Sequence, residues 1–249
     1  MTIFMAVLLL VNMFTENVKP RRRGRPAGQT AQGAAAKKRL YDIAIQSIAR
    51  QGYAATTLRG IADEAGVSVG LLYRYFPSKQ ALVLALYDEL SADYVREAAA
   101  MPPGKWRDRF AFALKASLRV LAPHRVALRA LIPVLIGDPD EGIFAASTAF
   151  SRRRVQGVFE RALLEASDAP KSPLAEALGR VLYLAHLGVL LWWLLDRSAK
   201  QRATTALVSL AEQMLPPMSV ALRLPALKRF VVSLDELMRE GLVEPLPSE

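Results

Sequence analysis

Apolar residues recur along this chain with the 3.6-residue period of an α-helix, and strand-like alternation is nearly absent. The period is sharpest between residues 56 and 79. Leu58, Ile61, Ala62 and Ala65 fall at i, i+3, i+4 and i+7, one face of a short helix that starts at the cap Thr57. Gly66 ends it, because glycine enters the left-handed C-terminal conformation without strain, and the link through Val67 to Ser68 leaves just enough chain to turn a corner. Ser68 then caps a second helix from Val69 to Tyr75. Leu72 takes its inward position and Phe76 closes the core after it, which leaves Ser68, Val69, Gly70, Leu71, Tyr73 and Arg74 on or near the outer face. Pro77 and Ser78 stop this helix and open a third, with Lys79 in its first turn. A cation there opposes the helix dipole by roughly a few tenths of a kcal/mol, unless an anion such as phosphate binds the same helix start. Two short helices at a tight turn, followed at once by a third, predict a helix-turn-helix whose exposed Tyr and Arg suit a DNA major groove.

Further along, the pattern predicts helices over about 78–100, 104–121, 124–136, 141–167, 173–197, 199–215 and 225–241. Pro102, Pro103, Pro123, Pro139, Pro170, Pro173, Pro216, Pro217 and Pro225 fall between them or in their first turns, while Pro133 is expected to kink its helix. With 52% hydrophobic residues, this half can bury a core as one helical domain. The expected fold class is therefore all-α. The run from Val181 to Leu195 is apolar on every face, so it calls for cover inside a domain, from a second subunit or from lipid. Its 15 residues between Arg180 and Asp196 are fewer than the roughly 20 of a membrane span.

Charge separates the two halves. The net charge is +10, and residues 1–80 hold 12 Lys and Arg against 4 Asp and Glu, where the rest hold 21 against 19. A basic module joined to a nearly neutral one is the electrostatic footprint of a nucleic-acid binder with a second domain. The most basic run, Lys19 to Gly28, has two prolines, two glycines and no apolar period, so disorder is expected when it is free. Arg23 and Arg25 within it suit a narrow A·T-rich minor groove; the alternative is a solvated tail that adds non-specific affinity.

The first 14 residues are apolar but too short to span a bilayer, with neither a positive n-region nor a small-residue cleavage site. The expectation is an unstructured or wrongly assigned start with Met13 as the initiator; a membrane anchor is the alternative. With no cysteine and only His124 and His186, thiolate chemistry and a His-rich zinc site are excluded. No phosphate-binding Gly-rich loop with a following Lys and no Gly-x-Ser-x-Gly elbow occurs. No catalytic residue, metal ligand or cofactor is therefore expected.

The stretch from Gly52 and Tyr53, through Thr57, Ile61 and Ala62, to Gly66–Phe76 and Lys79 closely resembles the DNA-binding domain of TetR-type transcriptional repressors, without gap or insertion. The resemblance covers roughly residues 35 to 100. It implies that Thr57, Tyr73, Tyr75 and Lys79 hold phosphates, while Arg59 and the helix start at Ser68, Val69, Gly70 and Leu71 face base edges, with Arg74 on the same outer face. Alternatives stand beside these roles: Tyr73 and Tyr75 as core aromatics, Arg59 as a solvated charge, and Gly60 retained for packing or for a close DNA backbone.

The family also implies a two-fold dimer through the last long helices, here 173–197 with 199–215, and a small-molecule pocket whose occupancy moves the DNA heads. Tyr183, His186, Trp192 and Trp193 are the polar-tipped candidates for orienting an apolar ligand. Core or interface packing is the alternative for each, and two adjacent tryptophans cannot share one face. The expected organisation is a flexible basic arm over 1–34, a helix-turn-helix domain over 35–80 and a helical ligand-binding and dimerisation domain over 81–249. The expected function is that of a cytoplasmic homodimeric regulator on a palindromic double-stranded operator, a repressor released by a small effector of unknown identity, with no membrane partner. A membrane-associated or purely interaction protein is the competing reading. An all-helical enzyme fails for lack of convergent acid, base or nucleophile.

Overall fold

The computed structural model describes residues 31–243, which are helical and contain no strand. The apolar start, the basic run and with it Arg23 and Arg25 lie outside the described residues. Packing divides the chain into two units, residues 1–36 and 37–249. Of the first, residues 31–36 are described, as the opening of α1 (Ala31–Gln51). All contacts described below belong to the second.

Local signals close the helix-turn-helix. The Thr57 Oγ1 accepts from the Gly60 N–H at 3.1 Å and begins α2 (Leu58–Ala65). Gly66 ends it at φ +66°, in the left-handed region, with its own N–H turned back to the carbonyls of Ala62 and Asp63. The Ser68 hydroxyl accepts from Leu71 N–H and starts α3 (Val69–Tyr75), and the Ser78 hydroxyl does the same for Ala81 and α4 (Lys79–Ala98). Leu40, Ala44 and Ile48 of α1, Ile61, Ala62 and Ala65 of α2, Leu72 and Phe76 around α3, and Leu82, Val83 and Leu86 of α4 form one buried core. Leu72 is fully buried at its centre, so Leu72→Ala removes about 2–5 kcal/mol of stability.

Helices α5 (Trp106–Leu121), α6 (Arg125–Ala130), α7 (Ile132–Gly137), α8 (Ala149–Leu164), α9 (Leu174–Leu195), α10 (Arg202–Ala221) and α11 (Pro225–Met238) follow. The second core gathers Tyr94 of α4, Trp106, Phe110 and Leu114 of α5, Phe159 and Leu163 of α8, and Leu178, Leu182 and Tyr183 of α9. A Cβ at Gly179 would lie 3.2 Å from Glu160 Cα, so the missing side chain lets α9 lie close on α8. Buried Arg109 donates to the carbonyls of Arg161 and Ala162, and Arg125 to those of Trp193 and Asp196, each tying a guanidinium to a helix C-terminus.

Several predicted boundaries shift. The helix expected over 124–136 is broken at Leu131 into α6 and α7, and Pro133 sits in the first turn of α7, where its missing N–H is harmless. The helix expected from 141 starts only at Ala149. Before it the Asp138 carboxylate accepts from the N–H groups of Asp140 and Glu141, and buried Thr148 donates to the carbonyls of Gly142 and Ala145, so side chains satisfy a turn in place of a helix. Pro216 and Pro217, expected beyond a helix end, lie inside α10. Buried Leu215 and Leu222 on either side keep the helix docked on the core despite the lost N–H groups.

A single chain covers α9 on only part of its surface, which leaves the rest for the second subunit or lipid that the sequence allows. Among the described helices α9 alone is long and apolar enough to cross a membrane, yet Leu178, Leu182, Tyr183, His186, Trp193 and Leu194 are buried against neighbouring helices, while Trp192 and Leu195 are about half exposed.

Candidate nucleic-acid interface and internal cavity

The outer face of α2 and α3 carries the residues expected to meet DNA. Thr57, Arg59, Ser68, Gly70, Tyr73 and Arg74 are exposed, and Tyr73 presents half its surface to solvent. Val69, Leu71, Tyr75 and Lys79 are half-buried. Of these, Val69 and Tyr75 pack against the core, so they reach outward with only part of their side chains. The two glycines differ. At Gly60 a Cβ would press on Thr57 Oγ1 at 3.2 Å, so the glycine leaves room for the cap; at Gly70 nothing lies within 4 Å. Lys79 is tied inward: its ammonium donates to the carbonyls of Tyr53 at 2.8 Å and Thr56 at 3.2 Å, which leaves one N–H for an outside acceptor.

Behind this head, helices α4 to α9 line a cavity of about 490 Å³, within the usual range for small-molecule sites, which opens to the surface beside exposed Ile136 and Leu191. Leu90, Leu121, Leu128, Ile132, Leu187 and Leu190 supply much of its apolar wall. Tyr183, His186 and Trp193 line it, whereas Trp192, one residue further round α9, lies outside the lining and is half exposed. Trp193 is itself packed, with its indole N–H donating to Gln201 Oε1 and Arg125 lying over the ring.

His186 is fully buried. Its Nε2 is 2.8 Å from the Ser117 hydroxyl, and the rings of Tyr94, Phe159 and Tyr183 surround it. Burial pushes its pKa down to about 3, so the imidazole is neutral at ordinary pH, and its Nδ1 has no partner.

The sequence reading missed Arg152. It lies in a run of three arginines that reads as surface charge, yet it is only 7% exposed and lines the cavity. The available signal was helical phase, since Arg152 shares a face of α8 with Val155, Phe159 and Ala162. Tyr87 and Ser117, which no motif in the sequence singles out, also stand on the cavity wall.

Residues 40–86 match the family described as bacterial regulatory proteins, tetR family. The HTH-type transcriptional repressor KstR of Mycolicibacterium smegmatis is 29% identical over 170 residues, 66% of this chain and 78% of that protein. KstR of Mycobacterium tuberculosis is 48% identical, but over 56 residues, 22% of this chain and 26% of that protein. A crystal structure of a bacterial regulatory protein in the tetR family from Rhodococcus RHA1 superposes with a TM-score of 0.54 at 26% identity, covering 72% of this chain and 96% of that one.

Proposed function

The chain belongs to the TetR-type helix-turn-helix transcriptional regulators, and from that premise we propose that it represses transcription as a homodimer on a palindromic operator and is released when a small apolar effector fills the cavity. The observation that carries the reading is the capped α2–α3 pair, with exposed Arg59, Tyr73 and Arg74 on its outer face and open space at Gly70, where a base edge can approach without meeting a side chain. The related repressors support repression over activation.

In this reading residues 1–34 form a basic arm, 35–80 read DNA, and 81–249 bind effector and dimerise. Thr57, Tyr73 and Lys79 take phosphates, with Tyr75 contributing from its half-buried position, and Arg59, Ser68, Val69, Gly70 and Leu71 meet base edges. Tyr183, His186 and Trp193 face the effector. The protein works in the cytoplasm and carries out no catalysis, in keeping with relatives that are transcriptional regulators.

The dimer has a physical basis. Ala185, Gly188, Trp192 and Leu195 make one exposed stripe on α9, and Leu210 and Met214 are exposed on α10. A second copy covers such a stripe and sets two recognition helices on a two-fold axis. Binding isotherms on an operator fragment over a range of salt test the reading. Tyr73→Phe weakens specific and random DNA alike, while Arg59→Ala costs about 1–3 kcal/mol on the correct base only. Equal losses on operator and random DNA for Arg59→Ala would remove it from the base-reading set.

A further inference from the structure

Arg152 enters the cavity wall with only part of its guanidinium engaged. Its Nη1 donates to the carbonyl oxygens of Ile143 at 3.0 Å and Ala145 at 3.1 Å, which fixes the group in place. Its Nε is buried without a partner, and Nη2 makes no hydrogen bond. The Nε–H and Nη2–H bonds of a guanidinium run parallel along one edge and match the two oxygens of a carboxylate. This chain shows that match completed elsewhere, where Arg180 Nε and Nη2 hold the two oxygens of buried Asp235 at 2.6 and 2.7 Å. At Arg152 the same edge has no acid, because the residues lining the cavity include no Asp or Glu.

A buried guanidinium stays protonated, and its charge is costly to keep without a counter-ion. Burial accordingly lowers the pKa of Arg152 from its ordinary value. The Tyr183 hydroxyl stands on the same cavity wall and also makes no hydrogen bond within the protein. The Tyr87 hydroxyl and His186 Nδ1 are, with Arg152 Nε, the buried and unpartnered polar atoms on this wall among the described residues. These groups stand in an otherwise largely apolar lining.

We infer that the cavity takes an amphipathic acid, an apolar body whose carboxylate seats on the Nε and Nη2 edge of Arg152 with the Tyr183 hydroxyl as a second donor. The inference rests on the cavity being the effector site and replaces a merely apolar effector with one that carries an acidic head. The anion supplies the missing counter-charge, and the lining supplies the burial.

Displacement of the neutral fluorophore N-phenyl-1-naphthylamine from the full-length protein tests this, with dodecanoate, 1-dodecanol and dodecyltrimethylammonium as probes of one chain length. Wild type is expected to release the fluorophore at about tenfold lower dodecanoate than 1-dodecanol, with the ammonium weakest. Arg152→Met removes that preference while leaving 1-dodecanol within about threefold. Because Nη1 also anchors the 143–145 turn, Arg152→Lys serves as a second variant. It keeps the charge, lacks the parallel edge and loses most of the preference, with helicity checked by circular dichroism.

If wild type releases the fluorophore equally with dodecanoate and 1-dodecanol, the inference fails while the effector cavity stands. The inference also fails if both variants keep the full preference. If the fluorophore does not bind, or none of the three probes displaces it, the effector reading itself fails and the inference with it.

Discussion

The Lys79 ammonium lies 4.0 Å over the centre of the Tyr53 ring and donates to the carbonyl oxygens of Tyr53 and Thr56. Tyr53 in turn donates its hydroxyl to Glu141 Oε2 at 2.6 Å. Lys79 thus ties the start of α4 to the turn just before α2, and so fixes the corner from which the helix pair projects. Lys79→Met is expected to lower the unfolding free energy by about 1.5–3 kcal/mol, the range for hydrogen bonds to a charged group, measured by urea denaturation. If its remaining N–H meets a phosphate, the slope of log K against log salt also falls by about 1. An unchanged slope with reduced stability would make Lys79 an internal tie only.

Stability should depend on pH through His186. In the unfolded chain a histidine titrates near 6.5, whereas in the folded protein burial holds His186 down at about 3. Between those values the unfolded state binds the extra proton. The stabilisation is therefore complete above pH 6.5 and is lost as pH falls, by up to about 1.4 kcal/mol per unit, until the folded group titrates. Chemical denaturation from pH 7 to 4 should show a shallower decline for His186→Gln than for wild type. Parallel curves would contradict the assignment of that slope to His186.

Trp192 and Leu195 are half exposed, whereas Leu194 is 6% exposed inside the chain's own core. Charge at Trp192 or Leu195 should therefore separate subunits without unfolding them, and charge at Leu194 should unfold the chain. Trp192→Asp and Leu195→Arg are expected to raise the dissociation constant of the proposed dimer about a hundredfold, since each would leave an unpaired charge in the proposed interface. Sedimentation velocity with circular dichroism checks this. Unchanged dimers in both variants would move the interface off α9.

The helix-turn-helix was legible in the sequence because its determinants are local. Thr57, Gly66, Ser68 and Ser78 each act within three or four residues of their own position, and all four make the caps that their side chains or lack of one foretell. Arg152 was legible only in part: helical phase sets it, alone of three consecutive arginines, on the face of Val155, Phe159 and Ala162, but what buries it is the distant α9 and the 143–145 turn. Pro216 and Pro217 misled for a related reason. Local propensity ends a helix there, but burial of Leu215 and Leu222 carries α10 past them. Of the adjacent tryptophans, the sequence showed that they cannot share a face, and only the fold shows that Trp193 is the inward one.

Selection from a random duplex library by the purified protein, at near-physiological salt, tests the central claim that the α2–α3 face of a dimer reads an operator. The expected result is an enriched inverted repeat, with half-site centres about one helical turn or a multiple apart, bound at least about a thousandfold more tightly than a scrambled duplex of the same composition. Equal affinity for the enriched and scrambled duplexes would contradict it.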